Sequence, residues 1–144
     1  MTTISQNPTQ TSLQPASRRV TVLTLVGAIA VAILAAGIIA LAALAAGATS
    51  FPPLTPYVFG PFAAVGVLAA YTGWRIVRAR VSNPRRVLRI LVPLLLVLSF
   101  IPDVVLLVTG FIPGTTITGA VALMVMHLVV AGIAVPVAQR LAPV

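Results

Sequence analysis

Four long apolar stretches, separated by short connections, constrain this chain more than any other feature. They cover residues 20–46, 57–77, 87–109 and 116–137. Each is long enough to cross the roughly 30 Å hydrocarbon core of a bilayer as a single helix. Hydrophobic residues make up 60% of the chain and charged residues 7%, whereas soluble domains carry about 25% charged residues. The pattern predicts an all-α, polytopic membrane protein.

The arginines predict how the four stretches are oriented. All nine basic residues are arginines, and they lie before the first stretch, between the second and third, and after the fourth: Arg18, Arg19, Arg75, Arg78, Arg80, Arg85, Arg86, Arg89 and Arg140. The other two connections carry no charge. Because positively charged loops stay in the cytoplasm, we predict an up-down-up-down bundle of the cell membrane with both termini cytoplasmic.

The ends of the chain differ in composition from the apolar part. Residues 1–17 are rich in Thr, Gln and Ser, which predicts a disordered cytoplasmic tail. We predict one membrane domain over residues 18–140 and a short cytoplasmic tail over residues 141–144. The first apolar stretch follows a basic pair, as a signal peptide would, but it is longer than the roughly 7 to 15 apolar residues of a signal peptide. An uncleaved first span is therefore predicted.

A stripe of small residues runs along the first span at every fourth position: Thr24, Ala28, Ala32, Ala36 and Ala40. In lipid, small side chains let two helix backbones approach closely, and this approach drives helix association. The stripe predicts an interface with another helix and carries no signal for a ligand.

The only acidic residue, Asp103, lies in the third stretch, and the only histidine, His127, lies in the fourth. Counting about 1.5 Å per residue, their levels in the membrane differ by about 5 to 10 Å. Helical side chains lean towards the N-terminus, so in an antiparallel pair these two lean towards each other. The sequence predicts an intramembrane polar pair of Asp103 and His127.

Two neighbours are predicted to support the pair. Pro102 has no N–H and its ring clashes with the carbonyl of Leu98, which predicts a kink just before Asp103. The freed carbonyl needs a donor, and water, Ser99 or His127 are candidates. Ser99 also lies one turn before Asp103 on the same helix face.

The pair has two interpretations. It either binds and releases a proton during transport, or it is a buried contact that fixes how the last two helices pack. With no other acid in the chain to relay protons, we favour the structural interpretation. We predict no enzymatic activity, no cofactor and no metal, because the chain has no cysteine and one His with one Asp does not make a metal site.

The connection between the second and third stretches holds six arginines in a short segment: Arg75, Arg78, Arg80, Arg85, Arg86 and Arg89. They fix the topology, and a polybasic loop of this kind also binds anionic lipid head groups. A nucleic-acid partner is not predicted, because the arginines flank the apolar stretches and do not follow a phosphate-binding groove.

The segments SFIPDVVLL and ALMVMHLVVAGIAVP resemble a family of small actinobacterial integral membrane proteins known only as a domain of unknown function. The resemblance covers the four spans and rests on the Pro-Asp and Met-His pairs; it implies no activity. Small four-helix multidrug exporters have a similar length, but their essential acid is in the first helix, where this chain has none.

Three functions are therefore compared. The first is a structural, accessory or interaction module of the cytoplasmic membrane, partnered by the bilayer, by a second copy or by another membrane protein. The alternative is a small proton-coupled transporter or channel that uses Asp103 and His127. The weaker alternative is a protein that binds anionic lipids.

Overall fold

The computed structural model describes residues 17–48 and 50–144, which form a bundle of helices. The helices are α1 (Arg18–Ala45), α2 (Pro56–Arg80), α3 (Pro84–Ser99), α4 (Ile101–Thr109) and α5 (Ile117–Leu141), with a 3-10 turn at Pro52–Leu54. No strand occurs in the described ranges, so the predicted all-α class is confirmed. With α3 and α4 counted as one segment, four helices are long and apolar enough to cross a membrane.

Two predictions on the boundaries stay open. The tail predicted for residues 1–17 lies outside the described residues except for Ser17. The predicted limits of the lipid-embedded spans also stay predictions, because a helix end does not mark the edge of a bilayer.

Short polar side chains cap the N-termini of three of the helices. The side chains of Ser17, Asn83 and Thr116 accept hydrogen bonds from backbone N–H groups in the first turns of α1, α3 and α5, over 3.4, 3.3 and 3.0 Å. The first N–H groups of a helix have no partner within the helix, so these caps satisfy donors that would otherwise be left open. The chain therefore fixes where each of these helices starts.

Helices α1, α2 and α5 pack against one another most extensively and form the core of the bundle. The stripe on α1 faces this core, since Ala28, Ala32, Ala36 and Ala40 are all buried. The predicted helix interface is therefore present and lies inside the bundle. Small side chains in the core leave the large ones outside, and exposed leucines, isoleucines and valines cover the outer faces of the helices.

Two clusters of buried side chains define the two ends of the bundle. At the Phe51 end, the end of α1 and the start of α2 meet α4 and the first half of α5, through Ala43, Phe51, Phe59, Leu106 and Met126. At the Trp74 end, the end of α2, the start of α3 and the end of α5 meet through Trp74, Leu88, Ala138 and Ala142. Each of the two clusters thus contains side chains from at least three helices or from the connections next to them.

The third apolar segment sits at the edge of this core. Within it, Leu88 of α3 and Asp103 and Leu106 of α4 are the only buried side chains. The helix breaks at Phe100, between α3 and α4. Where the sequence predicted a kink before Asp103, the structure has two separate helices. Because so few side chains of this segment are buried, the contacts of Asp103 are a large share of those that hold the segment against the bundle.

We expect Ala32→Leu to destabilise the bundle by about 1 to 3 kcal/mol, because a well-packed core resists added methylene groups. Ala32 is 0% exposed, so α1 would have to move away from α2 and α5. The matched control is Ala30→Leu, on the exposed face of the same helix. Unfolding titrations with SDS in mixed micelles measure both, and an equal effect of the two substitutions would contradict the packing.

Candidate functional site

Asp103 owes its position to the break in the third apolar segment. α4 begins just before it, with Pro102 in the first turn, and Asp103 is the third residue of the helix. The N–H of Val104 donates to the carbonyl of Phe100 over 3.0 Å, which closes the first turn. The N-terminus of a helix carries partial positive charge and free N–H groups. The break therefore places the only side-chain carboxyl group of the chain where a helix start favours negative charge.

The structure brings Asp103 and His127 together. Nδ1 of His127, on α5, lies 3.2 Å from Oδ2 of Asp103. Asp103 is 4% exposed, whereas the side chain of His127 is 40% exposed. The contact therefore joins a buried acid to an imidazole that reaches the outer surface of the bundle.

A second acceptor competes for the same imidazole nitrogen. Nδ1 of His127 also lies 2.8 Å from the carbonyl oxygen of Leu123, one turn earlier in α5. Both neighbours are acceptors, so Nδ1 must carry the hydrogen, and one hydrogen serves two oxygens. The shorter contact goes to Leu123, and Oδ2 of Asp103 is left without a hydrogen bond in the described part of the chain. The pair is thus close in space, but its hydrogen bonding is incomplete.

The supporting residues are placed differently from each other. The hydroxyl of Ser99 donates to the carbonyl of Leu96 over 2.6 Å, so it serves its own helix and leaves Leu98 and Asp103 to other donors. Pro102 lies in the first turn of α4, where its missing N–H costs nothing. Pro102 thus lies at a helix start, and the structure has a break at this point where the sequence predicted a kink.

Two members of the site were missed by the sequence reasoning. The ring of Phe100 meets that of His127 edge to face, with centroids 6.3 Å apart and an angle of 83° between the planes. The carbonyl of Leu123 is the second. The ring of a helical histidine reaches the carbonyl four residues earlier only in some rotamers, so the sequence carried no firm signal for Leu123. Phe100 had no signal beyond its nearness to Asp103.

The six clustered arginines lie at or near the Trp74 end, and all of them are exposed: Arg75, Arg78, Arg80, Arg85, Arg86 and Arg89. Arg75 lies over the ring of Tyr71 at 5.8 Å, and Nε of Arg85 donates to the main-chain oxygen of Val144 over 2.6 Å. Asp103 belongs to the other half of the bundle, so the arginines and the Asp103–His127 pair are two separate features.

Fold and site together define an all-helical bundle with membrane-span dimensions and one buried acid–imidazole contact. A model of a family of unknown function, DUF6069, matches residues 14–143, and the chain belongs to that family. Comparison with curated proteins and with solved structures gives no match. The family carries no assigned activity, so any function has to be argued from the residues.

Proposed function

We propose that the protein is a multi-pass protein of the cytoplasmic membrane, with both termini cytoplasmic, that acts as a non-enzymatic accessory or interaction module. Its proposed partners are the bilayer, anionic lipids, and a second copy of the chain or another membrane protein. Bacterial, and specifically actinobacterial, origin is part of the same proposal.

The exposed faces of the helices support the membrane placement. Large apolar side chains such as Leu23, Leu34, Ile38 and Leu41 are exposed along α1. In water a continuous apolar face of this kind marks a contact with lipid or protein. The exposed arginines collect at the Trp74 end and around the N-terminus of α1, which fits the cytoplasmic side under the positive-inside rule.

The contact between Asp103 and His127 carries the structural role. It links the weakly buried third segment to α5, the helix that touches every other helix of the bundle. Polar contacts between helices in lipid act as such links, at about 0.6 kcal/mol on average. The chain has one acid and one histidine, so a proton crossing the protein would have to travel most of the way through water or another chain.

A proton-coupled transporter or channel is the second candidate, and one observation favours it. Oδ2 of Asp103 is buried without a hydrogen bond, and the imidazole beside it is partly exposed. A carboxyl oxygen in that position can take up a proton that arrives through the imidazole. This route needs a water-filled path or a second copy on the exposed side of His127.

Liposomes containing the purified protein and a pH-sensitive dye separate the two candidates. Under an imposed pH gradient we expect wild-type protein to add no proton flux to that of protein-free liposomes. Asp103→Asn and His127→Ala are expected to lower resistance to SDS unfolding, because each removes a partner of the contact. Thr109→Val is the matched control: it deletes a polar group of α4 that bonds only the carbonyl of Val105.

The opposite pattern would support the transporter. Flux through the wild type that disappears in Asp103→Asn, with unfolding resistance unchanged and flux retained in Thr109→Val, would overturn the structural role.

A further inference from the structure

We propose that a groove at the Trp74 end binds an anionic phospholipid of the cytoplasmic leaflet, with its phosphate at Arg85 and Arg89 and one acyl chain along the apolar wall. The groove has a volume of about 510 Å³ and lies between α2, α3, α5 and the C-terminal segment. The proposal rests on the membrane orientation proposed above, and it concerns the end of the bundle away from Asp103.

The face of α3 that lines the groove is set by its helical periodicity. Arg85, Leu88, Arg89 and Val92 recur at intervals of three and four residues, which places them on one side of a helix. Leu88 is buried against Trp74 and α5, so this side is the one that packs on the bundle. The two arginines therefore stand one turn apart at the groove, about 5 to 6 Å from each other at Cβ.

Two hydrogen bonds hold the walls of the groove in place. Nε1 of Trp74 donates to the carbonyl of Ala142 over 2.9 Å, and the indole is 6% exposed. Nε of Arg85 donates to the main-chain oxygen of Val144, which leaves the two terminal nitrogens of its guanidinium as donors. The C-terminal segment is thereby tied to α2 and to α3, so the groove is already formed before any ligand arrives.

The chemistry of the lining matches an anionic lipid better than a soluble anion. Guanidinium groups form paired, charge-assisted hydrogen bonds with phosphate oxygens. Trp74, Val92, Pro93 and Val135 give the groove apolar walls, which a free phosphate would not use. Asp103, the only acidic side chain of the chain, is in the other half of the bundle, so no acidic side chain neutralises Arg85 or Arg89. The main-chain oxygen of Val144 engages Nε of Arg85 and leaves the guanidinium of Arg89 to a phosphate.

Trp74 is the only tryptophan of the chain, and it lines the groove, so its fluorescence reports occupancy. Full-length protein is placed in nanodiscs of phosphatidylglycerol and phosphatidylcholine, with bromine on the acyl chains of one lipid only. We expect brominated phosphatidylglycerol to quench Trp74 more strongly than brominated phosphatidylcholine at equal mole fraction. Arg85→Gln with Arg89→Gln should reduce the affinity for phosphatidylglycerol relative to phosphatidylcholine by about fivefold per arginine removed.

The matched control removes the same charge from the same connection outside the groove. Arg80→Gln with Arg86→Gln should keep the preference for phosphatidylglycerol, because neither residue lines the groove. A loss of equal size in both double variants would overturn the proposal in favour of diffuse attraction to the membrane surface. A wild type without any preference would also overturn it.

Two further variants separate the groove from the membrane orientation. Val92→Phe fills the apolar wall without changing charge, and it should weaken quenching by brominated phosphatidylglycerol. Ser82→Cys supplies the only thiol of the chain, and a membrane-impermeant maleimide should label it in inverted vesicles and leave it unlabelled in spheroplasts. Labelling in spheroplasts would contradict the proposed orientation. The quenching results test the lipid site in the groove independently of that orientation.

Discussion

Gly114→Ala is expected to destabilise the protein by about 2 to 5 kcal/mol. Gly114 lies in the connection between α4 and α5 and has a φ of +78°, where a side chain is strained. A Cβ there would overlap the carbonyl oxygen of Ser50 and lie 2.6 Å from its carbonyl carbon. Ser50 belongs to the connection between α1 and α2. Backbone cannot rotate aside as a side chain can, so the two connections would have to separate.

Gly110→Ala is the matched control for this prediction. Gly110 ends α4 with a φ of +60°, but a Cβ there would meet nothing within 4 Å. Its replacement should cost only the conformational term, about 1 to 2 kcal/mol. Unfolding midpoints in SDS compare the two variants, and a Gly114→Ala protein no less stable than Gly110→Ala would show that the two connections are not in close contact.

His127→Leu alone is expected to cost about 3 to 5 kcal/mol, because it leaves the buried carboxyl group of Asp103 without its partner. Adding Asp103→Leu to the same chain should restore stability to near that of the wild type. Removing both members of a buried pair removes the penalty for the unpaired group as well. The incomplete hydrogen bonding of Oδ2 strengthens this expectation, since little hydrogen-bond energy is lost when both side chains are replaced.

A double-mutant cycle in SDS titrations measures the coupling between the two residues. Additive losses, with the double variant the least stable of all, would mean that the two residues are not energetically coupled and that each stabilises the bundle through other contacts. A loss near 0.6 kcal/mol for His127→Leu, the average for interhelical hydrogen bonds in lipid, would mean that Asp103 finds another donor once the imidazole is gone.

The contact between Asp103 and His127 was predictable because the chain offers few polar partners for a buried carboxyl group. The chain has one acid and one imidazole, and its nine arginines lie at or beside the ends of the apolar stretches. Helix geometry placed Asp103 and His127 at similar depth, so each was the nearest candidate partner of the other. The sharing of one hydrogen with Leu123 was not predictable, because it depends on the rotamer of His127. The break at Phe100 could be predicted only in part, since Pro102 is compatible with a bent helix and with a helix start.

The groove was harder to predict from the sequence than the helices around it. Six arginines in one connection predict a topology, but their spacing alone does not say which of them turn towards the bundle. Burial of Leu88 fixes the rotation of α3, and only then do Arg85 and Arg89 separate from Arg80 and Arg86. The approach of Gly114 to Ser50 had no signal either, because it joins two connections that are far apart in the sequence.

The order of synthesis gives the packing of α5 a consequence for biogenesis. α5 contacts all the other helices, yet it is the last of them to leave the ribosome. In the proposed membrane setting, the carboxyl group of Asp103 therefore enters the translocation channel ahead of the imidazole that will stand beside it. Until α5 arrives, α3 and α4 lack their contacts with α5, and Asp103 lacks the imidazole that lies 3.2 Å from it in the complete bundle. The contacts of α3 with α2 are then what hold the third segment.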